Sequence, residues 1–354
     1  MISGCSAARW LPVFSSMSAG ASRHAGEVLP GTTVASRLVG GHVRLNGQLG
    51  DLIWRRRKRT GGPAGMGRQS RKGAYVTAGS SDRPAETAPP GVDAGVANSA
   101  RVWNYWLGGT ENYAADREAG DHVLRALPIM GVLARADRAF LSRAVRYLAG
   151  QEGIRQFLDI GAGIPTANNT HEVAQRVAPE ARIVYADNDP VVVAHARAVL
   201  TSTPAGTTDY IDADLRDPDK ILAGAARTLD FGQPTAIMLL AVLGHISDAE
   251  DPYAIVARLM GAVPSGSYLA LSHPLKDISE EMTEAARVWN ERSPTKITLR
   301  SNAEIARFFD GLELLEPGVV QLPQWRPDSP VADTGPGGGL VPHYCGVGRK
   351  MQHS

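Results

Sequence analysis

Between Asp116 and Leu148 apolar residues recur at intervals of three and four: Val123, Leu124 and Leu127, then Leu133, Ala136, Phe140, Leu141, Val145 and Leu148. That period predicts two amphipathic helices, broken at Pro128. Beyond them, short apolar runs alternate with helical stretches. Strand-like IRQFLDIG (154–161) precedes a helix near 170–177, RIVYAD (182–187) precedes one opened by Pro190, and TTDYIDAD (207–214) precedes one opened near Pro218. TAIMLLAVL (235–243) leads to a helix near 252–260, and GSYLALSH (266–273) leads to one over 278–289. Five strands alternating with helices predict an α/β fold with a mainly parallel sheet, helices on both faces and right-handed crossovers. Near-continuous apolar runs such as AIMLLAVL fit the centre of that sheet. After a further helix at 302–309, LELLEPGVV and HYCGVGRK are expected to pair antiparallel at one edge, with PQWRPDSPVADTGPGGG as a surface loop between them.

Residues 1–95 read differently. They are rich in Gly, Ser, Ala and Pro, lack sustained periodicity and carry RRRKR at Arg55 to Arg59, which predicts a disordered basic tail. An Arg- and Ser-rich, acid-poor start can mimic a transit peptide, and a basic pentamer can bind nucleic acid. A solvated tail is the plainer reading, or translated upstream sequence with Met66 as the start. Residues 96–150 form a helical segment ahead of the sheet domain at 151–350.

The net charge of +1 over 354 residues hides an asymmetry: residues 1–83 hold 13 Lys and Arg against three acids, leaving +10 there and −9 on the remainder. An acidic body is a poor match for a polyanion, because non-specific nucleic-acid affinity comes mostly from neutralised phosphates. The longest uncharged stretch of the body, 231–247, has 17 residues with a proline and a histidine inside, short of the roughly 20 a membrane span needs. The two cysteines, Cys5 and Cys345, form no pair at metal-ligand or disulfide-framework spacing, so no metal site is expected and the setting is a reducing cytoplasm.

In an open parallel sheet, ligands bind outside the carboxyl ends of the strands. The first strand ends in FLDIGAGIPT, where Asp159 precedes Gly161, Ala162 and Gly163. Glycines there let the turn tighten and the backbone approach a ligand. A dinucleotide fingerprint would need a third glycine where Thr166 stands, behind Pro165, so pyrophosphate binding is disfavoured. The second strand ends in Asp187 and Asn188, where a carboxylate can take both hydroxyls of a ribose; the third ends near Asp214 and Leu215, where an acid can accept from a purine amine. Three acids closing three successive strands describe an adenosine pocket without a phosphate clamp. Asp189 and Asp217 serve equally well as helix N-caps.

The order DIGAGIPT, YADNDP, DADLRDP resembles Rossmann-like class I S-adenosylmethionine-dependent methyltransferases. The upstream SARVWNYWLGGTENYAADREAG, with ARADRAFLSRAVRYLA, DNDPVVVAHARAVL, LRSNAEIARFFDGLELLEPGVV and the terminal GVGRK, looks like the actinobacterial S-adenosyl methyltransferase family once catalogued as DUF574. The resemblance, running from about Asn98 to Lys350, implies a seven-stranded sheet with the last strand inserted antiparallel. It implies S-adenosylmethionine as cofactor, with Gly161, Ala162 and Gly163 at the methionine part, Asp187 at the ribose, Asn188 at the adenine edge, Asp214 and Leu215 at the adenine amine and face, and Asp159 at the amino group. The upstream segment departs from the family's usual Tyr-Asp-Tyr and Gly-Gly-Lys-Asp-Asn, having Trp103, Asn104 and Tyr105, then Thr110, Glu111 and Asn112.

Methyl transfer is an in-line displacement that asks a protein for alignment, desolvation and sometimes a base. His245, just after the fourth strand, sits where it could act as that base, against a packing role; His273 closes the fifth strand and reads the same way. The aromatic segment with Tyr105, Asn112 and Tyr113, hinged at Gly108 and Gly109, is expected to form an N-terminal helical lid that shapes the acceptor pocket, although such aromatics also serve as simple core. No Gly-x-Ser-x-Gly elbow or Walker loop occurs, and the Asn-Pro-Pro-aromatic motif of many nucleic-acid amino methylases is missing after strand four, which reads AVLGHI. The expectation is a methyltransferase acting on a small-molecule acceptor. The alternatives are a nicotinamide oxidoreductase on the same fold class and a non-catalytic nucleoside-binding regulator.

Overall fold

Consecutive residues of a strand face opposite sides, so a strand buried at every position needs a layer on each face. The computed structural model, which describes residues 88, 92–199, 201–276, 278–329 and 340–352, has three such strands. They are β1 (Gln156–Ile160), β4 (Ala236–Leu240) and β5 (Tyr268–Pro274). With β2 (Arg182–Asp187) and β3 (Thr207–Asp212) they form a parallel array in the order β3-β2-β1-β4-β5. The pairing register sets Asp159 beside Tyr185 and Asp187 beside Asp212, so the strand ends that carry the acids lie side by side.

Beyond β5 the sheet turns antiparallel. The long β8 (His343–Lys350) inserts between β5 and β6 (Leu312–Leu314), as the family resemblance implies. A two-residue β7 (Val320–Gln321) also pairs β8, which makes eight strands among the described residues where seven were expected. Leu314 opposes Gly348 but Val320 opposes Cys345, so β6 and β7 act as one edge strand interrupted by extra residues.

The helices fill the two layers. On one face Phe157, Ile183, Met238 and Val347 pack against α2 (Ala114–Ala126), α3 (Met130–Gly150), α4 (Thr170–Val177) and α8 (Glu280–Arg292). On the other, Leu158, Val184, Ile237 and Leu269 pack against α6 (Pro218–Ala225), α7 (Pro252–Gly261) and α9 (Asn302–Ala306). α5 (Pro190–Val199) follows β2. Pro128 separates α2 from α3, as its missing amide requires.

The helix that periodicity did not predict is α1 (Ser99–Trp106), too short for a clear stripe. Its start is fixed by Asn98, whose Oδ1 accepts from the Ala100 amide at 2.8 Å. The chain divides into two units, Met1–Ala78 and Gly79–Ser354. The first lies outside the described residues, as do most of the expected disordered tail and residues 330–339 of the expected surface loop. Among the described residues no helix is long and apolar enough to cross a membrane, and no cluster of ligating side chains could hold a metal ion.

Candidate functional site

The carboxyl ends of β1 to β4 converge on a cleft of about 1130 Å3, its mouth to solvent included. Asp159, Gly161, Ala162, Gly163, Asp187, Asn188, Asp214, Leu215 and His245 all line it. The β1 turn explains its own sequence. Gly161 has φ +74°, and a Cβ there would lie 2.4 Å from Val242 Cγ2; Gly163 has φ +65° and open space where a Cβ would be. Only glycine takes both positions without strain.

Behind the turn the chain stays non-helical until α4 begins at Thr170. Asn169 holds this loop, accepting from the Thr166 amide at 3.0 Å, and Arg138 of α3 donates to the Asn168 carbonyl at 3.0 Å. A helix that starts this far from the glycines offers no N-terminus beside them, which agrees with the missing third glycine.

Each strand-end acid has a fixed setting. Asp187 is buried; its Oδ2 accepts from the Gly163 amide at 2.8 Å and its Oδ1 from the Asp189 amide at 3.0 Å. Burial pushes its carboxyl up to about 6 against the pull of those amides. Asp159 accepts from Thr170 Oγ1 at 2.6 Å, and burial raises its pKa as well. Asn188 Nδ2 donates to Asp214 Oδ2 at 2.7 Å, tying the end of β2 to the end of β3. Although partial burial opposes it, Asp214 stays below the usual carboxylate range, because the Arg216 amide and guanidinium and Asn188 all stabilise the charge. Asp217 caps α6 by accepting from the Lys220 amide at 3.0 Å, and Asp189 accepts from the Val191 amide at 2.8 Å.

His245 stands in a short 3-10 turn (Leu243–His245) after β4. Its Nδ1 lies 3.1 Å from the Lys296 carbonyl. A carbonyl can only accept, so Nδ1 carries the proton and the lone pair is on Nε2. Burial lowers the ring's pKa, which keeps it neutral at pH 7. His273 is different: fully buried, it takes a guanidinium hydrogen of Arg300 on Nε2 at 2.8 Å, its pKa is driven down to about 3, and it does not line the cleft. Cys345 is buried in β8 with its thiol pKa pushed well up, so it is no nucleophile.

The residues named for the lid sit apart from the cleft lining. Tyr105, Asn112 and Tyr113 do not line the cleft. Tyr105 donates to Asp121 Oδ1 at 2.6 Å, Asn112 donates to Asn104 Oδ1 at 3.0 Å, and Tyr113 lies under the Arg101 guanidinium. These residues fasten α1 to α2. The surface over the cleft comes instead from the other side of α1, through Asn98, Ser99, Trp103 and Asn104. α1 is anchored by Arg101, whose Nε lies 3.5 Å from Asp116 Oδ1 and 3.8 Å from Asp189 Oδ2, with all three groups buried.

Two charged residues of α3 are among the lining residues that escaped the sequence reading. Asp137 and Arg138 of α3 reach the cleft. Asp137 is 4 % exposed, accepts from Ser272 Oγ at 2.5 Å, and is pushed up to about 6 by burial. Its signal was present: Asp137 falls four residues after Leu133 and four before Leu141, a carboxylate on an apolar stripe. Ala241, at φ +55°, bends the chain between β4 and the 3-10 turn.

A family model described as S-adenosyl methyltransferase matches residues 85–351. The solved structure of a DUF574 family protein from Streptomyces avermitilis is 45 % identical, with a TM-score of 0.69, over 72 % of this chain and 98 % of its own. A candidate methyltransferase from Thermobifida fusca is 40 % identical with a TM-score of 0.69, over 75 % of this chain and 98 % of its own. A Parafrankia protein named as a candidate S-adenosyl-L-methionine-dependent methyltransferase is 27 % identical over 246 residues, 64 % of this chain and 68 % of that protein.

Proposed function

The chain belongs to the S-adenosyl methyltransferase family, and from that premise we propose that the cleft at the ends of β1 to β4 holds S-adenosylmethionine while a small-molecule acceptor is methylated beside His245. When bound, that cofactor supplies an electrophilic methyl group on a positively charged sulfur.

The residues present suit the group. The observation that carries the reading is the pair Asp137 and Asp159, two buried carboxylates on the wall of an open cleft whose ionisation burial opposes. A ligand ammonium between them would offset that cost. Arg138 has a buried Nε without a hydrogen-bond partner and lines the same cleft, which fits a ligand carboxylate. Asp187 retains acceptor capacity for two ribose hydroxyls, and the Asn188–Asp214 pair offers a donor and acceptors to a purine edge. Leu215 supplies apolar contact.

The chain's contribution to the reaction is then alignment, exclusion of water under α1, and removal of the acceptor's proton by Nε2 of His245, whose neutral state at pH 7 leaves the lone pair ready. Calorimetric titration of the full chain with S-adenosylmethionine, S-adenosylhomocysteine and NAD tests the cofactor site. Micromolar binding of the first two, lost in Asp187→Ala, is expected. Binding of NAD alone, or of none of the three, would overturn the reading.

A further inference from the structure

A second chamber of about 610 Å3, its mouth to solvent included, opens off the cleft, between α1, α2, α3 and α8. The two share Ser99, Trp103, Ala241 and His245 as common wall, so the chamber meets the cleft where His245 stands. Its chemistry differs from that of its neighbour. No Asp, Glu, Lys or Arg among the described residues lines it. Three indoles do: Trp103 and Trp106 lie with ring centroids 5.8 Å apart at 66°, and Trp106 and Trp289 lie 6.4 Å apart at 55°. Met130 and Met282 add flexible thioether surface, which adapts to ring edges.

Apart from His245, a fully buried polar group in this wall has no partner. His343, 2 % exposed at the start of β8, has a buried Nε2 with no hydrogen-bond partner. Burial holds its pKa well below the usual range, so the ring is neutral. A neutral imidazole nitrogen left unpaired in an apolar wall is costly unless a guest supplies the partner.

Resting on the cofactor reading above, we propose that this chamber is the acceptor site and that it takes a flat, uncharged aromatic molecule carrying a polar substituent that pairs with Nε2 of His343. The absence of charged groups among its lining residues selects against a charged guest, since a buried charge needs a partner. The indole faces and edges favour an aromatic guest over a saturated one of equal volume, through offset and edge-to-face contacts. The wall shared at His245 brings one end of such a guest to the cleft and leaves the other for His343.

The test is calorimetry on the full chain saturated with S-adenosylhomocysteine, using 2-naphthol, its saturated analogue decahydro-2-naphthol and the anion 2-naphthoate. We expect saturable binding of 2-naphthol at least about tenfold tighter than either of the others, and a further loss of about tenfold in His343→Phe, the size of one buried hydrogen bond. Ala286→Phe fills the chamber from α8 at a distance from the cofactor cleft, and should abolish 2-naphthol binding while leaving S-adenosylhomocysteine affinity unchanged. Failure of 2-naphthol to bind a chain that does bind S-adenosylhomocysteine would overturn the acceptor assignment alone. So would equal affinity across the three probes, or 2-naphthol binding undiminished in Ala286→Phe. A parent chain that fails to bind S-adenosylhomocysteine would overturn the cofactor reading, and the acceptor assignment with it.

Discussion

Ser272 Oγ donates to Asp137 Oδ1 at 2.5 Å across 135 residues of sequence, joining the end of β5 to the middle of α3. The same hydroxyl oxygen accepts from the Ala241 amide at 2.9 Å. One serine therefore orients a cleft carboxylate and helps to hold the left-handed bend that leads to His245. Asp137 should thus act as a ligand-binding group that lowers the stability of the free protein. In Asp137→Asn, affinity for S-adenosylmethionine should fall about ten- to a hundredfold, while the ligand-free chain at pH 7 gains roughly 1–3 kcal/mol, the scale set by a shift of about two pKa units. Calorimetry and thermal melting would read the two effects separately, and a variant weaker in both would contradict the role.

The pH dependence has a definite sign. Burial raises both Asp137 and Asp187 to about 6 in the folded chain. A carboxyl raised by folding binds its proton more tightly when native. Its stabilising contribution is complete below the unfolded value of about 4 and is lost as pH rises through about 6. The ligand-free protein should therefore gain stability on acidification from pH 7 towards pH 4 as far as these two groups govern it. S-adenosylmethionine is cationic and favours both carboxylates ionised, so its affinity should fall as pH drops through 6, with protons released on binding near that pH. Titration in buffers of different ionisation enthalpy would count those protons. A flat affinity from pH 5 to pH 8 would contradict the assignment.

Arg101 and Tyr105 separate anchoring of α1 from ligand contact. Removing the guanidinium in Arg101→Met leaves Asp116 and Asp189 buried without their cation, which should cost about 3 kcal/mol in a melting experiment. Tyr105→Phe loses one hydrogen bond to Asp121 at a half-buried site, so its cost should be near 1 kcal/mol or less. Its S-adenosylhomocysteine affinity should be unchanged. A large affinity loss in Tyr105→Phe would restore Tyr105 to the ligand surface.

His245→Gln keeps a side chain able to donate to the Lys296 carbonyl but loses the basic nitrogen. Transfer of radiolabelled methyl to the small-molecule fraction of a cell extract should slow about 10²- to 10⁴-fold, the usual contribution of a positioned base. S-adenosylhomocysteine affinity should stay near that of the parent. Unchanged turnover would reduce His245 to a wall of the cleft.

The parallel array and its acids were legible because they are written locally. An apolar run bounded by glycine, an acid at its end and a proline-opened helix each depend on a few adjacent residues, and five repeats leave little choice of fold. RIVYAD became β2 with the same limits, and the strand-end acids Asp159, Asp187 and Asp214 line one cleft because parallel register puts like ends together. What escaped depends on contacts between distant segments. α1 has eight residues, too few for a stripe, and only its packing on α2 shows which of its faces covers the cleft. The sequence also could not distinguish Tyr105, which fastens that helix, from Trp103, which faces the ligand space, since successive residues of a helix point about 100° apart. Asp137 was visible as a misplaced charge, but its partner Ser272 lies 135 residues away. The bare nitrogen of His343 exists only because β8 inserts beside β5 and buries it in the wall of a chamber that three indoles also line. Sequence thus determined the elements and the ends at which the chemistry gathers. Packing decided which side chains face the ligands, because burial, pairing and pKa belong to neighbours in space.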